Sequence, residues 1–346
     1  MKISVSSVKE VVQGCLHASG VSDESIDVIV DTMLYADRRG LNSHGIGRLP
    51  LYVKKIAAGH LNPKNETEIV MSHDAVAIID GHNGFGQIAA DKALREGIAK
   101  AERYGVSAVG VRKSNNFGTA GYFGRCAAEQ GLAAMIFANA APAIAPSGGN
   151  KAMFGTNPIC FAFPGGKGNA PIILDMATSV AARGKIRLAE KNGDRIPLNW
   201  AMDEYGNPTD DPKAALKGTL QPVGGVKGYG LSLFSDIFAG LLTGAAYGGN
   251  VRQLSDIYND SGNGHLFLLI DVKKFIDKDL LHSIVKEYIN TVKSCGDDGR
   301  VFMPGELGDK KTEEHGNWIE LSEAQIKEIN ETALSCGCSV KLEVIR

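Results

Sequence analysis

The sequence predicts an α/β protein: a helical region over 1–73, a sheet-building region over 74–310, and a helical segment over 311–346 that returns to the start of the chain. Three observations carry this reading. Between Ser7 and Arg39 apolar residues recur at steps of three and four, the period of one helix face. Beyond His73, short β-rich apolar runs alternate with stretches of helical period, the pattern of strands and helices in an α/β unit. Glycine-rich stretches near 147–149, 164–168 and 224–230, drawn from 42 glycines in all, separate the runs as loops.

Val8, Val11 and Val12 give the apolar face of a first helix that ends near Gly20. Ser22, followed by Asp23 and Glu24, reads as the N-cap and acidic first turn of a second helix bearing Ile26, Ile29, Val30 and Met33. Pro50 and Pro63 bracket a shorter helix with Tyr52, Val53 and Ile56. Residues 75–80 predict a strand, 87–104 a helix and 106–111 a second strand; apolar runs at 132–138, 159–163, 172–174 and 266–270 predict the rest of the sheet. Residues 321–333 regain helical period.

At 346 residues the chain is long enough for about two domains. With 44% hydrophobic and 22% charged residues it has an ordinary globular composition, which sets disorder and fibrous architectures aside. A formal charge of -2, with bases and acids interspersed, offers no field for a phosphate backbone, so nucleic acid is not an expected partner. The N-terminus lacks the pattern of a signal peptide, and no window approaches the ~20 apolar residues of a membrane span, so the chain reads as cytoplasmic with no membrane partner. The cysteines at 15, 126, 160, 295, 336 and 338 contain no CxxC pair, and the histidines show no ligand spacing; no metal is expected.

Gly84-Phe85-Gly86-Gln87-Ile88-Ala89 follows a strand-like run and opens a helix, which matches the loose G-x-G-x-x-A dinucleotide fingerprint. The acidic residue that should close the following strand is missing, because that strand ends in Arg112 and Lys113. The basic pair is either a contact for the 2′-phosphate of NADP or a solvated strand end. A tight strand-to-helix turn that needs small residues explains the glycines equally well.

The most chemically loaded stretch is Ser43 to Arg48, in which His44 can exchange a proton near neutral pH and Arg48 can grip a carboxylate bidentately. If that stretch is helical, the four-residue spacing places both on one face; the alternative is a capping serine with a surface His and Arg. Lys227-Gly228-Tyr229-Gly230 can bring backbone and a point charge to a phosphate, or can be a solvated turn. Leu174-Asp175-Met176 with Thr178 and Ser179 ends an apolar run where α/β folds place ligands, or caps a helix. Asn157, in Gly155-Thr156-Asn157-Pro158, is a turn former or a ligand contact.

Taken together, the chain resembles the malate/L-lactate/L-sulfolactate dehydrogenase family of NAD(P)-dependent 2-keto acid reductases. The resemblance runs through Ser43-His44-Gly45 with Arg48, 81–87, 114–123, Gly155-Thr156-Asn157-Pro158, 175–186, Lys227-Gly228-Tyr229-Gly230 and Pro304-Gly305-Glu306, covering the chain from about residue 1 to 335. It implies a non-Rossmann NAD(P)-binding α/β domain with a mixed sheet, and a helical domain formed by the N-terminal segment and the C-terminal helix. It also implies a homodimer with active sites near the subunit interface, NAD or NADP as cofactor, and a small 2-keto or 2-hydroxy acid as substrate. Carried over residue by residue, His44 matches the proton donor and Arg48 the carboxylate clamp. Ser43, Asn157, Leu174, Asp175, Met176, Ser179, Lys227, Gly228, Pro304, Gly305 and Glu306 match cofactor-binding segments. One position departs from the pattern: many relatives carry a histidine where this chain has Asn116, which cannot titrate but can donate a hydrogen bond. That leaves His44 as the sole acid/base, or a paralogue that binds the nucleotide with feeble chemistry. Relatives acting on ureidoglycolate, diketo sugar acids or cyclic imine acids leave the substrate open.

Overall fold

The computed structural model describes residues 1–296 and 299–345. In chain order the elements begin with β1 (Lys2–Ser4), α1 (Val5–Ala18), α2 (Asp23–Arg38), α3 (Leu49–Ala57), β2 (Glu68–His73), β3 (Val76–Asp80), α4 (Gly86–Tyr104), β4 (Val106–Ser114), α5 (Ala120–Glu129) and β5 (Leu132–Ala138). They continue with β6 (Ile159–Phe163), β7 (Ile172–Met176), α6 (Arg183–Asn192), β8 (Ala201–Met202), α7 (Pro212–Lys217), β9 (Thr219–Leu220) and α8 (Val226–Asp236). The chain closes with β10 (Asn263–Asp271), α9 (Lys278–Lys293), α10 (Glu306–His315), β11 (Trp318–Glu320) and α11 (Glu323–Ser335).

A seven-stranded mixed sheet, in the order β2-β3-β4-β10-β5-β6-β7, forms the centre. β3 and β4 are parallel, joined through α4, and every other neighbouring pair is antiparallel. The strand order puts β10, from late in the chain, between β4 and β5. Alternation decides the faces: Val109, Ile136, Cys160 and Phe267 turn to one side and pack with Ala89, Ala93 and Phe123 of α4 and α5. On the other side Phe137, Ile159 and Leu266 meet Ala239 from the π-helical turn Ile237–Leu241.

The helical lobe has its own core, in which Val11, Leu16, Ile26, Ile29, Met33 and Tyr52 of α1 to α3 meet Ile329 and Ala333 of α11. Each such buried side chain contributes on the order of 1.5–3 kcal/mol relative to leaving it exposed. Both chain ends enter this lobe: β1 pairs with β11, and Ile3 bridges Val344. Ser322 and Gln325 close a capping box on α11, which sets where the C-terminal helix begins. A smaller cluster around Ile144, Phe154, Ile186 and Leu220 gathers α6 to β9 beside the sheet.

Residues 68–73, grouped with the helical region by periodicity, form β2 at the sheet edge. All six are exposed, so the strand carries no alternation of polarity to reveal it. The fingerprint glycines serve the turn rather than a pyrophosphate. A Cβ on Gly86 would sit 2.2 Å from the Asn115 carbonyl oxygen, Asn115 Nδ2 donates to the Gly84 carbonyl at 2.9 Å, and the start of α4 is thereby filled by protein. Arg112 and Lys113 pair with the buried Asp80 carboxylate at 3.2 and 3.0 Å.

Candidate active site

His44 stands in the turn between α2 and α3, outside any α-helix. Its amide donates to Leu41, and a 3-10 turn, Ile46–Arg48, leads into α3. The His44 and Arg48 pair is therefore not the one-face helical arrangement considered from spacing. Arg48 instead folds back, its Nε donating to the Ser43 carbonyl at 2.6 Å, while Ser43 Oγ lies 2.9 Å from His44 Nδ1. The turn rests on Asp37 of α2, whose Oδ2 accepts the Ile46 amide at 2.8 Å. A Cβ on Gly45 would lie 1.9 Å from Asp37 Oδ1, so only glycine lets the turn settle onto that carboxyl. Burial pushes the Asp37 carboxyl up to about 7, with the Ile46 amide opposing.

Opposite the turn, the loops after β4 and β7 and the strand β10 complete a cleft of about 200 Å³. Ser43, His44, Asn116 and Asp175 are the sequence-predicted residues that line it; Arg48 does not, and stands behind the lining on the Ser43 carbonyl. His44 is half-buried at the cleft edge; desolvation, then Arg48, pushes its pKa down to about 3. It is a neutral imidazole and a weak base. Asn116 Oδ1 accepts the Gly118 amide at 3.1 Å, an Asx turn that leaves the amide NH2 as its uncommitted donor. Asp175, open to the cleft at the end of β7, accepts the Gly121 amide at the start of α5 at 2.7 Å. Desolvation raises its carboxyl, against the pull of that amide and of Arg39.

The remaining predicted residues are placed differently. Leu174 and Met176 flank Asp175 on β7, and Pro304 lies along the same strand, its carbonyl accepting the Ile173 amide at 2.9 Å. Gly305 caps α10 and gives its carbonyl to Arg39, while Glu306 is engaged with Lys293 at 2.5 Å. Ser179 is buried and donates to the Ala181 carbonyl at 2.8 Å, within its own loop. Asn157 is fully buried; Nδ2 donates to Ser232 and Oδ1 accepts the Ala140 amide. Its geometry ties two loops together and does not offer the cofactor contact expected from sequence. Lys227 is exposed in the first turn of α8, and Gly228 is buried where a Cβ would sit 2.1 Å from the Val223 carbonyl oxygen; neither lines the cleft.

Sequence reasoning missed Asn139, Asn263 and His265, which form the cleft wall from β10 and the end of β5. Their separation from His44 in the chain leaves no spacing to read. In a wider groove of about 610 Å³, near Asn62 and His82, several polar groups are paired with one another: His82 with Glu68 at 3.3 Å, Asn83 with Asp260 at 2.9 Å. The smaller cleft holds the uncommitted groups and is the candidate site.

A nicotinamide dinucleotide fits this surface on chemical grounds. An open carboxylate at a strand end, Asp175, can receive ribose hydroxyls, and uncommitted amide donors face it from Asn116.

Comparison with known proteins gives a consistent set of relatives. Residues 3–330 match the family model described as malate/L-lactate dehydrogenase. An L-sulfolactate dehydrogenase of Methanothermobacter thermautotrophicus is 38% identical over 330 residues, covering 95% of each chain. A (2R)-3-sulfolactate dehydrogenase (NADP(+)) of Chromohalobacter salexigens is 34% identical over 337 residues, 96% of this chain and 98% of that one. Among solved structures, the sulfolactate dehydrogenase of Methanocaldococcus jannaschii superposes with a TM-score of 0.92 at 34% identity, covering 98% of both chains.

Proposed function

The chain belongs to the malate/L-lactate dehydrogenase family, and from that premise we propose that it interconverts a small 2-keto acid and its 2-hydroxy acid with NAD or NADP in the His44 cleft. The observation that carries the site is the convergence of His44, Asn116 and Asp175, from the turn before α3, the loop after β4 and the end of β7, on one cavity. Asp175 holds the cofactor, with Leu174, Met176, Pro304 and Gly305 shaping its bed along β7. When bound, the nicotinamide supplies or takes up the hydride.

His44 does the proton work. As a neutral base it takes the hydroxyl proton of the 2-hydroxy acid; in the reducing direction the same ring returns a proton to the developing alkoxide. Desolvation is the larger cause of the low His44 pKa and Arg48 the smaller; a substrate carboxylate seated beside Arg48 offsets the smaller part and so raises the ring's affinity for a proton. Arg48 orients the acid, and Asn116 donates a hydrogen bond where it cannot titrate. A dimer belongs to the same proposal, supported by a half-exposed apolar face: Phe161, Phe163 and Leu174 on β6 and β7, with Phe234, Leu241 and Leu242 nearby in sequence to the turn that covers that face. A cytoplasmic location is part of the proposal too; all six cysteines are free thiols, as a reducing compartment keeps them.

The test is oxidation of NADH and NADPH, followed at the nicotinamide absorbance, against pyruvate, oxaloacetate, 2-ketoglutarate, sulfopyruvate, a diketo sugar acid and a cyclic imine acid. Turnover with one of the keto acids supports the reading and names the substrate. Turnover only with the imine acid or the sugar acid moves the chain to a different substrate class. Cofactor binding without any turnover favours a nucleotide-binding relative silenced at Asn116.

A further inference from the structure

His265 sits on β10, the strand between β4 and β5, and lines the cleft that holds His44 and Asn116. It is fully buried, yet its Nδ1 has no hydrogen-bond partner among the described residues. The opposite nitrogen is committed: Nε2 lies 3.2 Å from Ser114 Oγ, and that hydroxyl donates to the Asn115 carbonyl at 3.4 Å. With its own hydrogen directed to that carbonyl, the hydroxyl accepts from the ring, so Nε2 carries the proton and Nδ1 is left with a lone pair. Stacking prevents the ring from swinging to find a partner elsewhere. Phe117 lies parallel to it at 4.3 Å and is itself stacked on Phe123 at 5.3 Å. Desolvation pushes its pKa down to about 3, so the acceptor stays neutral at any working pH.

Buried acceptors without partners are uncommon in native proteins and call for an explanation. We propose that His265 Nδ1 is a preorganised acceptor for an N–H or O–H of the ligand in the His44 cleft, making it a second functional imidazole that positions and does not transfer protons. The proposal rests on the reading of that cleft as the nicotinamide and hydroxy-acid site. Two groups there carry such a donor: the carboxamide of the nicotinamide and the hydroxyl of the 2-hydroxy acid.

Two variants separate the ring nitrogens. His265→Gln places a donor toward Ser114 and removes the acceptor at Nδ1; His265→Asn keeps an acceptor near Nδ1 and gives up the link to Ser114. Each is titrated with NADH and NADPH by fluorescence, and then, in the reduced-cofactor complex, with the 2-hydroxy acid, a pair that cannot react. Thermal midpoints are recorded alongside. The expected result is about tenfold weaker binding for His265→Gln, the worth of one ordinary hydrogen bond, with a thermal midpoint near that of the parent. His265→Asn should bind within about threefold of the parent despite a lower midpoint, which a merely structural histidine would not give. A loss in the first titration assigns the carboxamide, and a loss confined to the second assigns the hydroxyl.

Parent-like binding by His265→Gln in both titrations overturns the proposal, as does weaker binding by His265→Asn than by His265→Gln. If His265→Gln does not fold, the asparagine variant alone decides, and a tenfold loss there refutes the role. A parent protein that binds neither cofactor refutes the reading of the cleft itself, and the acceptor role with it.

Discussion

Asp37 is a fully buried carboxyl beneath the turn that carries His44, and replacing it by asparagine probes what its titration costs the fold. The amide keeps an oxygen for the Ile46 amide and keeps the shape under Gly45, but it cannot ionise. The sign follows from linkage. The Asp37 pKa is raised from 3.8 to about 7, so the folded protein holds this proton more tightly than the unfolded chain does. The resulting stability is fully present below about 3.8 and is lost as pH rises toward and through about 7. At about 1.4 kcal/mol for each pH unit of linkage the whole span amounts to about 4 kcal/mol, with about 3 of it falling between pH 5 and pH 8. Thermal midpoints of the parent and Asp37→Asn, read from pH 5 to pH 8, should start close together and separate by several degrees in favour of the variant at the alkaline end. Because every other group is shared, the difference isolates Asp37. Midpoints that keep a constant offset across that range would refute the argument.

His44→Ala should lower turnover by about 10² to 10⁴-fold while NADH affinity stays within a few-fold, measured by steady-state rates and fluorescence titration. Undiminished turnover removes His44 from the chemistry. Arg48→Lys should raise KM for the keto acid more than it lowers kcat, because an ammonium cannot reproduce the planar fork; an unchanged KM argues against the carboxylate clamp. Asp175→Asn can still accept the Gly121 amide, so it should fold normally but bind the cofactor about tenfold more weakly; equal affinity takes Asp175 out of the cofactor bed.

Where periodicity was strong the fold was legible from the sequence. The apolar faces around Val8 to Met33 and the runs of β5, β6 and β10 each carry the signal of the element they form, because burial on one face imposes it. β2 escaped because an edge strand exposed throughout obeys no such constraint. The site was half legible. His44 and Asp175 lie in stretches whose residue types suggest chemistry, Ser43 and Asn116 are marked for the site only by the family resemblance, and the four meet in one cleft. His265 and Asn263 reach that cleft only because β10 inserts between two strands that precede it in the chain, an arrangement of topology and not of local pattern. Asn157 shows the reverse: a polar residue in a loaded motif whose hydrogen bonds are all directed inward, which no reading of residue type could reveal.

The helical lobe that supports the His44 turn is sewn together by residues from the two extremities of the chain: the amino group of Met1 binds the Leu321 carbonyl, and Ile3 bridges Val344. During synthesis, α1 to α3 therefore emerge long before α11 arrives to cover them. Until then Val11, Leu16 and Ile29 lack part of the surface against which they finally pack. A ribosome-bound fragment that still lacks α11, however complete its sheet, therefore leaves the turn bearing His44 without part of its support. A break near either extremity reaches that turn through the packing of the lobe and not through the sheet.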